Sequence, residues 1–150
     1  MKLIKKFNYK KILSLIWDQD GSPFYNAKGM AVGVFSGCFP FFGFQTLLGV
    51  FIAKIINGNL VLAALGTWIS NPFTYVPLFI LNYKVGAILL YNPSNIVINP
   101  KLLKDNFLNQ GWFIVSRLIL GSSLVGLIFG LICGLITFLT YRKIVRNKLK

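Results

Sequence analysis

In a chain of 150 residues with no histidine and three acidic residues, few side chains are equipped for chemistry. Four stand out because they lie in apolar sequence beside prolines. Gln45 and Thr46 follow Pro40 and Gly43, and Asn71 and Thr74 flank Pro72. Amides and hydroxyls in such surroundings do one of two things. They satisfy backbone groups that a proline has freed, or they line a polar pocket between the ends of interrupted helices. Half-helix N-termini carry partial positive charge and free N–H groups, so such a pocket suits an anion such as phosphate. The sequence leaves both uses open. It names Gln45, Thr46, Asn71 and Thr74 as candidate ligand-binding residues, and Pro40, Gly43, Pro72 and Pro77 as structural breaks.

Other chemistry is poorly provided for. Asp18, Asp20 and Asp105 all lie outside the apolar blocks, so no carboxylate pair is available there for acid–base work or proton relay. No phosphate-cradling Gly-rich loop and no Ser–His–Asp set is present. Cys38 and Cys133 sit in apolar runs without a CxxC, which points to small buried side chains rather than a disulfide or a metal site. The expectation is a protein without catalytic activity, metal or cofactor. Lys54 and Lys84, toward the ends of their blocks, are expected to snorkel to headgroups, and Arg117 to anchor at an interface.

The elements that position these residues are membrane-like. The chain is 55% hydrophobic and 13% charged, where a soluble domain is nearer ~25% charged. Its net charge of +13 is concentrated outside the apolar runs, with six lysines in the first 28 residues and five basic residues in the last nine. Bases flanking apolar spans match the positive-inside pattern better than a nucleic-acid surface. Residues 1–17 read as an interfacial helix with Tyr9, Ile12, Leu13 and Ile16 on one face, suited to an anionic membrane surface. Its apolar run is interrupted at residues 17–20 and lacks a small-residue cleavage site, unlike a signal peptide. Ser22 and Pro23 make an N-cap and first helical residue.

Three apolar blocks follow. Gly29 to Ile56 is broken at Pro40, and Leu60 to Leu90 at Asn71-Pro72 and Pro77. The two share a layout, a possible pseudo-repeat: apolar half, Pro-Phe break with a nearby Thr, apolar half. An Asn-rich loop with a short surface helix near Lys101 leads to the third block, Leu118 to Leu139, which carries no charge. Ser122, Gly126, Gly130 and Gly134 recur every four residues along it, a glycine-zipper face for close helix packing. Its partner is either the first block, through Gly33 and Gly37, or the same helix in a second copy.

The fold expected is therefore an all-α membrane protein of one domain. Residues 1–21 form a basic interfacial arm, 22–141 the membrane core and 142–150 a basic cytoplasmic tail. Basic flanks at both ends favour an even number of crossings with both termini in the cytoplasm. One of the first two blocks is then a candidate for a re-entrant course.

The motif set resembles the DUF2062 family of bacterial membrane proteins. The residues that carry the resemblance are Ser22-Pro23, the P-x-x-G-x-Q-T element at Pro40, Gly43, Gln45 and Thr46, Asn59, and the N-P-x-T element at Asn71, Pro72 and Thr74. The resemblance spans roughly Ser22 to Tyr141. It implies a multi-pass protein of the bacterial cytoplasmic (inner) membrane without a settled activity. Some members join this module to glycosyltransferase domains, which implies lipid-linked sugars or envelope polysaccharide; together with the residues at the breaks this leaves two roles. One is transport, or handling of a lipid or lipid-linked sugar, at a polar site between broken helices. The other is a non-catalytic scaffold for a partner enzyme such as a glycosyltransferase. The partners expected are the bilayer, anionic headgroups at the basic termini, and a second copy or a membrane enzyme, with no nucleic acid.

Overall fold

The computed structural model describes residues 21–41, 43–90 and 107–148. The basic arm up to residue 20 and the Asn-rich segment 91–106, with its expected surface helix, lie outside the described residues. Every regular element among the described residues is helical. Helix α1 spans Pro23–Gly37 and begins as its sequence dictates: Ser22 Oγ accepts a hydrogen bond from the Tyr25 amide at 3.1 Å, and Pro23 takes the first position. It stops short of Pro40, which disfavours helical backbone at the residue before it.

Helix α2 spans Phe44–Ile55 and starts at Gly43, whose φ of 80° turns the chain back on itself. Its far end closes in a Schellman arrangement. Asn57 adopts φ 52°, the Gly58 amide donates to Ala53 O at 2.7 Å, and the Asn57 amide to Lys54 O at 3.3 Å. Asn59 then caps helix α3, Leu60–Gly66, accepting from the amides of Val61 at 2.9 Å and Leu62 at 3.1 Å. A 3-10 turn, Thr67–Ile69, extends α3 to the second break. Helix α4 spans Tyr75–Leu89, and helix α5 runs 42 residues from Phe107 to Lys148.

Register between helices is set by glycines. Gly29, Gly33 and Gly37 on α1 meet the backbones of Asn59, Ala63 and Thr67, so α1 and α3 run parallel with no room for a side chain between them. The opposite flank of α1 packs antiparallel on α5. A Cβ at Gly126 would lie 2.9 Å from Phe35 O, at Gly130 2.6 Å from Ala31 O, and at Gly134 2.9 Å from Ala31 Cβ. Helix α4 also runs antiparallel to α5, with Gly86 against the Arg117 backbone and Gly121 against that of Asn82. Hence α1 and α4 follow one another along α5. α1 lies beside its C-terminal half, α4 beside its N-terminal half, and Cys38, Leu78 and Val125 form a small core at the junction.

This packing revises two expectations. The partner of Gly126, Gly130 and Gly134 is α1, but it meets them with Ala31, Phe35 and Cys38. Gly33 and Gly37 instead face α3, because an α-helix has several flanks and α1 is held on two of them. Pro77 does not break its helix. It is the third residue of α4, where the N–H that proline lacks has no partner within the helix anyway. The two Pro-Phe breaks also differ in outcome. The first reverses the chain between α1 and α2, whereas the second lets α3 pass into α4 in the same sense.

Many large apolar side chains of the described residues are exposed. Phe73 is 92% exposed, Ile88 76%, Trp68 75% and Trp112 73%. Helix α5 is long and apolar enough over Gly111–Arg146 to cross a membrane, and only 33% of its most apolar window is buried, unlike the core helix of a soluble protein. Its hydroxyls do not strand a donor in that setting: Ser122 Oγ donates to Leu118 O at 2.6 Å and Thr137 Oγ1 to Cys133 O at 2.8 Å.

Candidate functional site

The four candidate residues converge on one short segment, 67–74, between α3 and α4. Gln45 is 8% exposed and bonded at both ends of its amide. Its Nε2 donates to Phe39 O, in the first break, and its Oε1 accepts from Ser70 Oγ at 2.7 Å, at the edge of the second. One side chain thus ties the two breaks together. One turn of geometry away, Thr46 Oγ1 lies 3.0 Å from Thr67 Oγ1. The Thr67 proton is committed to Ala64 O at 2.7 Å, so Thr46 is the donor of the pair.

Asn71 and Thr74 form a reciprocal cap around Pro72. Asn71 Oδ1 accepts from the amides of Phe73 at 2.9 Å and Thr74 at 3.0 Å. Thr74 Oγ1 accepts from the Asn71 amide at 3.0 Å and donates to Ile69 O at 2.5 Å. This is capping-box logic, with Thr in place of the usual Glu or Gln, and it explains the N-P-x-T spacing directly. Proline fits between because its missing N–H would be one of the unpaired donors of the first turn.

Beside this segment a cleft separates the end of α1 from the start of α4. Cys38, Phe39, Ser70, Tyr75, Phe79 and Asn82 line it, none of the four candidates does, and it is too narrow to admit a water molecule. Asn82 was not singled out by its sequence context, an amide four residues before Gly86 on the face of α4 that meets α5. It is 2% exposed and donates from Nδ2 to Cys38 O at 2.7 Å, satisfying a carbonyl freed where α1 ends. Its Oδ1 has no partner among the described residues. Ser70 and Thr67 were likewise missed, since a lone hydroxyl in apolar sequence gives no sign of which distant residue it will meet.

The basic residues are arranged differently from one another. Lys54 and Lys84 are exposed. Arg117, by contrast, is 2% exposed, not splayed into an interface. Its Nη1 donates to Tyr83 Oη at 2.5 Å, and its guanidinium lies 5.5 Å from the Tyr83 ring centroid and 4.5 Å from that of Phe113.

A family model described as an uncharacterized protein conserved in bacteria, DUF2062, matches residues 7–150. The chain belongs to the DUF2062 family. The match takes in both proline breaks and all four residues that stitch or cap them. No curated protein and no solved structure matches the chain. DUF2062 membership therefore places the chain in a bacterial family, while the working of these residues has to come from the geometry above.

Proposed function

We propose that this DUF2062 protein is a non-enzymatic, multi-pass scaffold of the bacterial cytoplasmic membrane, anchoring a partner enzyme such as a glycosyltransferase. The observation that carries this reading is the Gln45 amide, engaged by Phe39 O on one side and Ser70 Oγ on the other. With Thr46 on Thr67 and Asn71 and Thr74 capping their own turn, the four candidate side chains are occupied at or beside the two breaks. The sequence also has no histidine, and its three acidic residues lie outside those blocks.

The packing supports a specific path. Trp112 and Tyr141 are 29 residues apart on α5, about 44 Å at 1.5 Å per residue, close to the ~40–45 Å of a bilayer with its headgroups. From the Tyr141 end, α1 descends to mid-depth and α2 returns, a re-entrant pair. α3 descends again, α4 completes the crossing, and α5 returns. The start of α1 and the end of α5 then lie on the basic, cytoplasmic side, and the Gly126–Gly130–Gly134 zipper fastens the re-entrant pair to α5 through α1. Single cysteines introduced into a cysteine-free background at Asn57, Leu90 and Arg142 test this path with a membrane-impermeant maleimide. Asn57→Cys and Arg142→Cys are expected to label from one side and Leu90→Cys from the other. Labelling of Asn57→Cys together with Leu90→Cys contradicts the path.

The scaffold role has its own test. Gln45→Ala is expected to lower thermal stability and expression together with function. A variant that stays fully stable yet loses function would favour the second reading, transport or handling of a lipid or lipid-linked sugar between the broken helices. That reading is supported by one observation, the Asn82 Oδ1 that has no partner among the described residues, beside the cleft where α1 and α4 meet, and it requires the cleft to widen.

A further inference from the structure

The helical path brings together basic residues that are far apart in the chain. Gly58, at the turn between α2 and α3, packs against Lys28 and Gly29 of α1. Lys28 Nζ donates to Ile56 O at 2.5 Å and sits 5.3 Å from the Phe24 ring centroid. Two of its three N–H groups remain for other acceptors. Lys54 lies in the last turn of α2, at the same level and exposed. On α5 this level corresponds to Gly134, which faces Ala27 and Ala31. Arg142 and Lys143, both exposed, follow eight and nine residues later, about 12 Å further out at 1.5 Å per residue. Arg146 lies one turn beyond. All three acidic residues of the chain, Asp18, Asp20 and Asp105, fall outside the described residues.

We infer that the tip of the α2–α3 hairpin is a docking surface for anionic phospholipid headgroups, with Lys28 and Lys54 contacting the phosphodiester and Arg142, Lys143 and Arg146 forming an outer basic tier. The inference rests on the membrane path proposed above and adds to it a partner and a division of labour. Lys28 is pre-positioned by Ile56 O and the Phe24 ring, so little side-chain freedom is lost when a phosphate arrives. The inner tier lies where a short hairpin reaches the headgroup layer. The outer tier acts at longer range, through a field that salt screens. Lipid bound at the tip also fixes the depth of the hairpin whose other end carries Gln45.

The test uses the full-length protein in phosphatidylcholine nanodiscs with and without phosphatidylglycerol. Retained phosphatidylglycerol is counted by native mass spectrometry after detergent release, and thermal stability is measured in each nanodisc. Wild type is expected to retain phosphatidylglycerol and to melt higher in its presence. Lys28→Gln with Lys54→Gln is expected to weaken retention about fivefold per lysine and to abolish the rise in melting temperature. Lys28→Arg with Lys54→Arg is expected to keep both, which separates charge from misfolding. Arg142→Gln, Lys143→Gln and Arg146→Gln together are expected to leave retention and the rise in melting temperature in place; loss of retention in this variant, with wild-type retention in the double Gln variant, overturns the assignment of contact to the inner tier. Wild-type retention in the double Gln variant overturns the inference, as does displacement of the lipid by inorganic phosphate, which would mark a free-phosphate site. Either result leaves the maleimide pattern untouched, so failure of the docking surface is distinguishable from failure of the path.

Discussion

Ser70 donates its hydroxyl proton to Gln45 Oε1 at 2.7 Å, a bond between residues 25 apart in sequence that joins the two chain breaks. The partner of this bond is the other half of the same amide, which donates to Phe39 O. Where water is excluded, an unmet carbonyl or amide is expensive, so this junction is expected to govern the stability of the whole bundle. Gln45→Ala removes both bonds and leaves Phe39 O without that donor. The expected loss is about 2–3 kcal/mol, summing a lost hydrogen bond and an unsatisfied acceptor, read as a lowered midpoint of thermal or denaturant unfolding in a fixed detergent. Gln45→Glu, which keeps the acceptor and loses the donor, is expected to fall at least as far.

The cap at the second break gives a separate expectation. Asn71→Ala deletes the acceptor for the amides of Phe73 and Thr74 and should cost about 0.5–2 kcal/mol. Asn71→Ser, which keeps an N-cap acceptor, should recover most of it. Because Thr74 closes the reciprocal half of the same cap, Asn71→Ala and Thr74→Ala are expected to be less than additive in the same unfolding assay.

Much of this arrangement was legible in the sequence. Ser22-Pro23 announced the start of α1, Pro40 and Asn71-Pro72 announced the breaks, and the long uncharged run announced α5. The polar residues beside the prolines stand at the two breaks and bond within the chain, and the sequence did not name their partners. In an ordinary amphipathic helix the polar face identifies the packed face by elimination; here nearly every face is apolar and that signal vanishes. Glycine spacing remains, and it says that a flank is closely packed without naming the neighbour. Thus Gly33 and Gly37 indicated a seam, yet only the fold shows α3 rather than α5 across it. Pro77 misled for a different reason: a proline interrupts a helix interior but is harmless in a first turn, and the true start of α4 depends on the Asn71–Thr74 cap. Asn82 was missed because its partner, Cys38 O, exists as a free acceptor only once α1 has ended.

The α1–α3 seam makes a sharp prediction about glycine. A Cβ on Gly33 would collide with the Ala63 carbonyl, whereas one on Gly111 meets nothing within 4 Å. Gly33→Ala is therefore expected to destabilise by about 1–3 kcal/mol through overpacking. Gly111→Ala, at an exposed position on α5, is expected to be neutral or to stabilise by up to ~1 kcal/mol from helix propensity. Gly43→Ala has open space around it but a φ of 80°, so its expected cost of about 1–3 kcal/mol comes from backbone strain alone. Melting curves of the three variants separate the causes.

Proline substitutions distinguish a break from a bystander. Pro77→Ala is expected to leave stability within about 0.5 kcal/mol, because the first turn of α4 makes no use of that N–H. Pro40→Ala relaxes the restriction on Phe39 that ends α1, and is expected to disturb the Phe39–Gln45 contact and lower the melting temperature.

The central claim is that Gln45 and Ser70 hold the two breaks against each other. A double-mutant cycle with Gln45→Ala and Ser70→Ala, measured by reversible unfolding in one detergent, addresses it directly. The account predicts a coupling energy of about 0.5–1.5 kcal/mol, the net worth of one such bond. Strict additivity, with both single variants destabilising independently, would contradict it.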